Sequence, residues 1–151
     1  MALIGTALAA KRKGNHIITT AVEHPSVKAT ASFLEEQGFR ITFLSVDSRG
    51  QISLEELKEA LAPDTILVSI MYVNNEIGTI QPIEEAAKLV HATALGAVFH
   101  VDAIQAYGKV VIRPKQQGID LLSVSSHKFH GPKGAGFLYC SSCLLYTSPS
   151  P

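Results

Sequence analysis

Short runs of β-branched and apolar residues alternate along this chain with longer stretches of mixed, helix-forming residues, and that alternation predicts the elements. Apolar residues among good helix formers over 2–13 predict a helix that stops at Lys13-Gly14-Asn15, so the chain is expected to begin inside a domain. His16-Ile17-Ile18-Thr19-Thr20 reads as a buried strand, and Glu23-His24-Pro25-Ser26 opens a helix through Gln37 that Gly38 terminates. The unit then repeats. Residues 40–46 predict a strand, Asp47-Ser48-Arg49-Gly50 a turn, and Ser53 with Glu56 a capping box for a helix reaching Leu61. Residues 65–73 are almost continuously apolar, as in a strand buried on both faces of a parallel sheet. Pro82 starts a helix to about residue 93, residues 97–101 and 121–125 are further buried strands, and a polar, glycine-rich loop over 128–136 leads into 137–140. Strands alternating with helices in this way predict an α/β fold, a mainly parallel sheet covered by helices.

The pattern stops at Ser141. Residues 141–151 have no periodicity and end on Pro149-Ser150-Pro151, so they are expected to be an irregular, non-native or artefactual tail beyond a folded part spanning 1–140. Composition fits a chain with one apolar core, 46% hydrophobic and 17% charged. Thirteen Lys and Arg balance thirteen Asp and Glu, so no net field draws the chain to nucleic acid or to an anionic membrane. No stretch approaches the roughly 20 apolar residues of a membrane span, and residues 1–5 lack the charged start of a signal peptide; the expected compartment is the cytoplasm. Cys140 and Cys143 would close only a tiny disulfide loop, and one such pair within or beside the irregular tail is a poor basis for a zinc site; no metal is expected.

In a parallel α/β sheet, chemistry gathers at the carboxyl ends of the strands. Polar residues reach that edge from separate apolar strands: Glu23-His24, Asn74-Asn75-Glu76, Asp102 with Gln105, and Ser125-Ser126-His127-Lys128. Asp102 reads either as a helix cap for the segment from Ala103 or as the partner of a protonated heterocyclic nitrogen. Lys128 is either a surface charge or a desolvated nucleophile. Gly131, Gly134 and Gly136 beside it would let backbone approach a ligand, and Ser125, Ser126 and His127 are donors suited to a phosphate. His24 is either structural or placed to stack on a flat ring. Asn75 is either turn chemistry or an amide for a phenolic oxygen. Anion donors, a lysine and an acid on one edge match what pyridoxal phosphate needs, whereas no Walker or dinucleotide glycine pattern is present.

Thr20-Ala21-Val22-Glu23-His24, Val73-Asn74-Asn75-Glu76-Ile77-Gly78, His100-Val101-Asp102-Ala103-Ile104-Gln105 and Ser125-Ser126-His127-Lys128-Phe129-His130-Gly131-Pro132-Lys133-Gly134 together resemble the cysteine desulfurases, and the resemblance covers residues 3–139. It implies the large domain of a fold-type I pyridoxal-phosphate enzyme, from the branch serving nitrogenase and iron-sulfur cluster assembly. Lys128 would hold the cofactor as a Schiff base, His24 would stack on its ring, and Asp102 would pair with the ring nitrogen. Asn75 and Gln105 would lie near the ring hydroxyl, with Ser125 and His127 at the phosphate. L-cysteine would be the substrate and alanine the product, with the sulfur passing through an enzyme persulfide to a sulfur acceptor or iron-sulfur scaffold protein. Family members are homodimers.

The resemblance also implies parts not found in this sequence: the persulfide-forming cysteine, an earlier glycine-threonine phosphate loop, a later arginine for the substrate carboxylate, and the small domain. Cys140 and Cys143 come too early to take the cysteine's role. The expectation is therefore a desulfurase fragment that cannot complete turnover by itself. The competing readings are another class V aminotransferase-like enzyme and a non-catalytic fragment.

Overall fold

The computed structural model describes residues 2–125 and 135–142. Ten elements follow in order: α1 (Ala2–Ala10), β1 (His16–Thr20), α2 (Pro25–Glu36), β2 (Arg40–Leu44), α3 (Leu54–Ala60), β3 (Thr65–Met71), α4 (Ile83–Thr93), β4 (Val98–Asp102), β5 (Leu121–Ser125) and β6 (Gly136–Cys140). Local chemistry accounts for their ends. Ser53 caps α3 by accepting the Glu56 amide at 3.2 Å, with Glu55 and Glu56 in the positive first turn. Gly38 follows α2 at φ 88°, a left-handed conformation that a side chain resists. β3 ends at Met71, two residues before the apolar run does, because Tyr72 and Val73 already turn toward the following loop, where Val73 bridges Ile80.

The strands form one sheet in the order β2-β1-β3-β4-β5-β6. Every neighbouring pair is parallel except β5–β6, which pairs antiparallel. The sheet is thus mainly parallel, as the buried apolar runs require, with an antiparallel edge strand. Side chains alternate between two apolar cores. One joins Ile18, Val68, Ile70, Phe99 and Val101 to α3 and α4, and the other joins Ile17, Leu67, Val98 and Leu121 to α1 and α2.

Two histidines stand among these apolar side chains, each held by hydroxyls of the flanking strands. His16 on β1 lies 2.8 Å from both Thr42 Oγ1 of β2 and Thr65 Oγ1 of β3. His100 on β4 lies 2.8 Å from Ser69 Oγ of β3 and 2.7 Å from Ser123 Oγ of β5. Both are buried, and burial holds each below the ordinary imidazole range, His100 down to about 4. Strand alternation then puts Val98, His100 and Asp102 on one face of β4, so the histidine sits one step behind the acid at the strand's carboxyl end.

Candidate active site

From β1 the chain passes outward to β2 and then returns across β1 to β3, so strand order reverses between β1 and β3. At such a reversal the following loops diverge and leave a crevice outside the carboxyl ends. A cavity of about 220 Å³ occurs there, lined by His24, Met71, Val73, Asn75, Asp102 and Gln105, among others. Four residues expected from the sequence to act together are therefore brought together by three adjacent strands. Ser125 ends β5, next to β4 on the same edge. His127 and Lys128, with Gly131, Gly134 and Cys143, lie outside the described residues.

His24 is both structural and site-lining. It is the N-cap of α2, where its Nδ1 accepts the Ser26 amide at 3.2 Å and lies 2.8 Å from Ser26 Oγ. Accepting an amide needs a lone pair on Nδ1, which places the proton of the neutral ring on Nε2. Pro25 stands in the first turn, where its missing donor costs nothing.

Turn chemistry falls on Asn74, and that leaves Asn75 for the cavity. Asn74 Oδ1 accepts the Glu76 and Ile77 amides at 2.8 and 3.0 Å, its Nδ2 donates to the Val22 carbonyl at 3.2 Å, and Gly78 closes the turn at φ 72°. Replacing buried Asn74 by Ala would orphan these partners. The expected cost is about 2–3 kcal/mol in urea unfolding, and a loss below about 0.5 kcal/mol would show that the turn holds without it.

Asp102 is the final residue of β4 and is only 8% exposed. Its Oδ1 accepts the Ile104 amide at 3.0 Å, which caps a turn; no helix is assigned over 103–107. Burial pushes its carboxyl up, while the Ile104 amide and the neighbouring His24 draw it back. A buried acid with one capped oxygen, lining a cavity beside an imidazole and two amides, is set to receive a cation.

Glu23 was expected from the sequence at this edge beside His24, but without a role of its own. In the structure it is 3% exposed, its Oε1 accepting the Met71 amide at 2.8 Å and the Thr20 hydroxyl at 3.0 Å. Burial pushes its carboxyl up to about 7; nearby Asp102 adds to this, while the two hydrogen bonds and Lys28 oppose it. The usable signal was an acid three residues beyond the end of a short β-branched strand, with only Ala21 and Val22 between it and Thr20.

Comparison with known proteins agrees with this edge. Residues 1–150 match the aminotransferase class-V family. The chain belongs to the class-V aminotransferase family. Its relatives include a putative cysteine desulfurase IscS 1 of Bacillus subtilis (strain 168), 55% identical over 93% of this chain and 37% of that protein. The cysteine desulfurase IscS of Clostridium botulinum (strain Kyoto / Type A2) is 54% identical over 91% of this chain and 34% of its own length. Among solved structures, a NifS-like protein superposes with a TM-score of 0.90 at 42% identity, over 93% of this chain and 39% of that one. SspA in complex with cysteine gives 0.84 at 42% identity, over 91% and 40%. The chain thus spans about a third of the length of the curated relatives it matches. The class-V fold is the one described above, and the desulfurase resemblance of the four motifs is matched over nearly the whole chain.

Proposed function

We propose that this chain is the cofactor-binding part of a cysteine desulfurase, with residues 1–140 forming part of the large domain and the cavity receiving pyridoxal phosphate. The observation that carries the reading is the buried Asp102 carboxylate on a cavity that His24, Asn75 and Gln105 also line. The residues suit that group. A flat cationic heterocycle with a phenolic oxygen needs an acid at its nitrogen, a flat partner for its face and amides at its oxygen, and this edge offers all three.

Pyridoxal phosphate, when bound, supplies an electron sink that makes the Cα–H of an attached amino acid acidic. This chain's residues would do the rest of the positioning. Asp102 holds the proton on the ring nitrogen, since a buried carboxylate is stabilised by a cation beside it. His24 packs on the ring, Asn75 and Gln105 hold its hydroxyl, Ser125 and His127 hold the phosphate, and Lys128 carries the cofactor covalently. The substrate is L-cysteine, the molecule in whose presence the SspA structure was solved. The sulfur acceptor is an iron-sulfur scaffold or similar protein, the assembly a homodimer and the compartment the cytoplasm; among the described residues no helix is long and apolar enough to cross a membrane. An amino-group-transferring member of the family would share the acid and the lysine, but the relatives named above are desulfurases by name.

Adding pyridoxal phosphate to the purified chain should give a visible absorption band that Lys128→Ala abolishes. An unchanged spectrum in that variant would remove Lys128 from its role.

A further inference from the structure

Glu23 has no part in the reading above, yet it is more deeply buried than Asp102, at 3% against 8% exposure. Its two carboxyl oxygens differ sharply. Oε1 accepts two hydrogen bonds, while Oε2 is buried with no hydrogen-bond partner among the described residues. The Oε1 bonds tie the end of β1, through Thr20, to the end of β3, through the Met71 amide. A second tie runs the opposite way, from the Asn74 side chain back to the Val22 carbonyl. Segments 22–24 and 71–74 are therefore clamped by one side chain from each side. His24 directly follows one clamp residue and Asn75 the other, and both line the cavity with Asp102.

The charge state follows from the same geometry. A buried carboxylate with an oxygen lacking donors is costly, whereas a neutral carboxyl keeps both bonds at Oε1 and carries its proton on Oε2. The charged groups acting on it are Asp102 on β4 and the exposed Lys28 on α2. The nearer environment, a buried edge shared with Asp102, disfavours a second negative charge.

We propose that Glu23 is a positioning residue that works as a neutral acid: its Oε1 clamps β1 to β3 so that His24 and Asn75 meet Asp102 at the cavity, and its proton leaves the negative charge on Asp102. The cofactor arm of the test rests on the proposed pyridoxal-phosphate reading, whereas the resonance arm needs no ligand.

The test is a carbon-13 titration of the Glu23 carboxyl in the ligand-free chain, with the Asn75 side-chain amide followed in parallel, in wild type, Glu23→Gln and Glu23→Ala. The Glu23 signal should titrate with a midpoint of about 7, and the Asn75 amide should shift with it. Glu23→Gln, which keeps the acceptor and stays neutral, should hold Asn75 at its low-pH position throughout; Glu23→Ala should displace it at every pH. Pyridoxal phosphate should bind Glu23→Gln within about twofold of wild type and Glu23→Ala roughly tenfold more weakly. A Glu23 midpoint in the ordinary glutamate range, an Asn75 amide indifferent to it, or Asn75 unmoved in Glu23→Ala would overturn the proposal. Failure of the wild-type chain to take up pyridoxal phosphate would overturn the cofactor reading instead, and the resonances would still decide the role of Glu23.

Discussion

Relative to wild type, a Glu23→Gln chain should gain about 2 kcal/mol of stability as pH goes from about 4.5 to 6.5. The reason is an opposition between two buried groups. Glu23 has a folded value of about 7 against 4.5 in the unfolded chain, so in this window the folded state holds a proton that the unfolded state has lost, and stability falls as pH rises. His100 is the mirror case. Its folded value of about 4 against 6.5 means the unfolded state holds the extra proton, and stability rises with pH through the same window. Each shift is worth about 3 kcal/mol when fully expressed, and the two have opposite sign. Removing the ionisable group at 23 leaves the His100 slope exposed. His100→Gln should do the converse and give a chain that loses stability between pH 4.5 and 7, if its amide satisfies Ser69 and Ser123 as the imidazole does. Urea unfolding at half-unit pH intervals reads both slopes. A Glu23→Gln curve parallel to the wild type would mean that Glu23 is ionised in the folded chain.

Replacing Asp102 by Asn should separate binding from stability. The Asn Oδ1 can still accept the Ile104 amide, so the turn after β4 is kept. Burial disfavours charge at this position, so the neutral variant should be at least as stable as wild type near pH 7. Affinity for pyridoxal phosphate should nonetheless fall roughly a hundredfold, because a cationic ring would lose its buried counter-charge. Loss of affinity with retained stability is the signature of a site that trades one for the other. Unchanged affinity would show that Asp102 serves the fold alone.

Most of the fold was legible because its signals are local. Apolar runs such as 65–71, the cap at Ser53 and the stop at Gly38 each state their element within a few residues. The site edge was legible too, since parallel strands send all their carboxyl ends to one side, and His24, Asn75, Asp102 and Gln105 do share one cavity. What was hidden is what depends on partners distant in sequence. Nothing near Glu23 announces that the Met71 amide, 48 residues on, will donate to it, nor that Asn74 rather than Asn75 will make the turn and reach Val22. The hydroxyl pairs around His16 and His100 were hidden for the same reason, because each spans three strands whose register no local pattern states. The antiparallel β6 was likewise left open by a short run without a distinguishing period.

The central claim is that this edge is a pyridoxal-phosphate site served by Lys128. Its most direct test is to add the cofactor to the purified chain, reduce with borohydride and map the modified lysine by peptide mass spectrometry, with Asp102→Asn alongside. The account predicts label on Lys128 and much less of it in the variant. Label scattered over surface lysines such as Lys11 and Lys88, equal in both proteins, would contradict it.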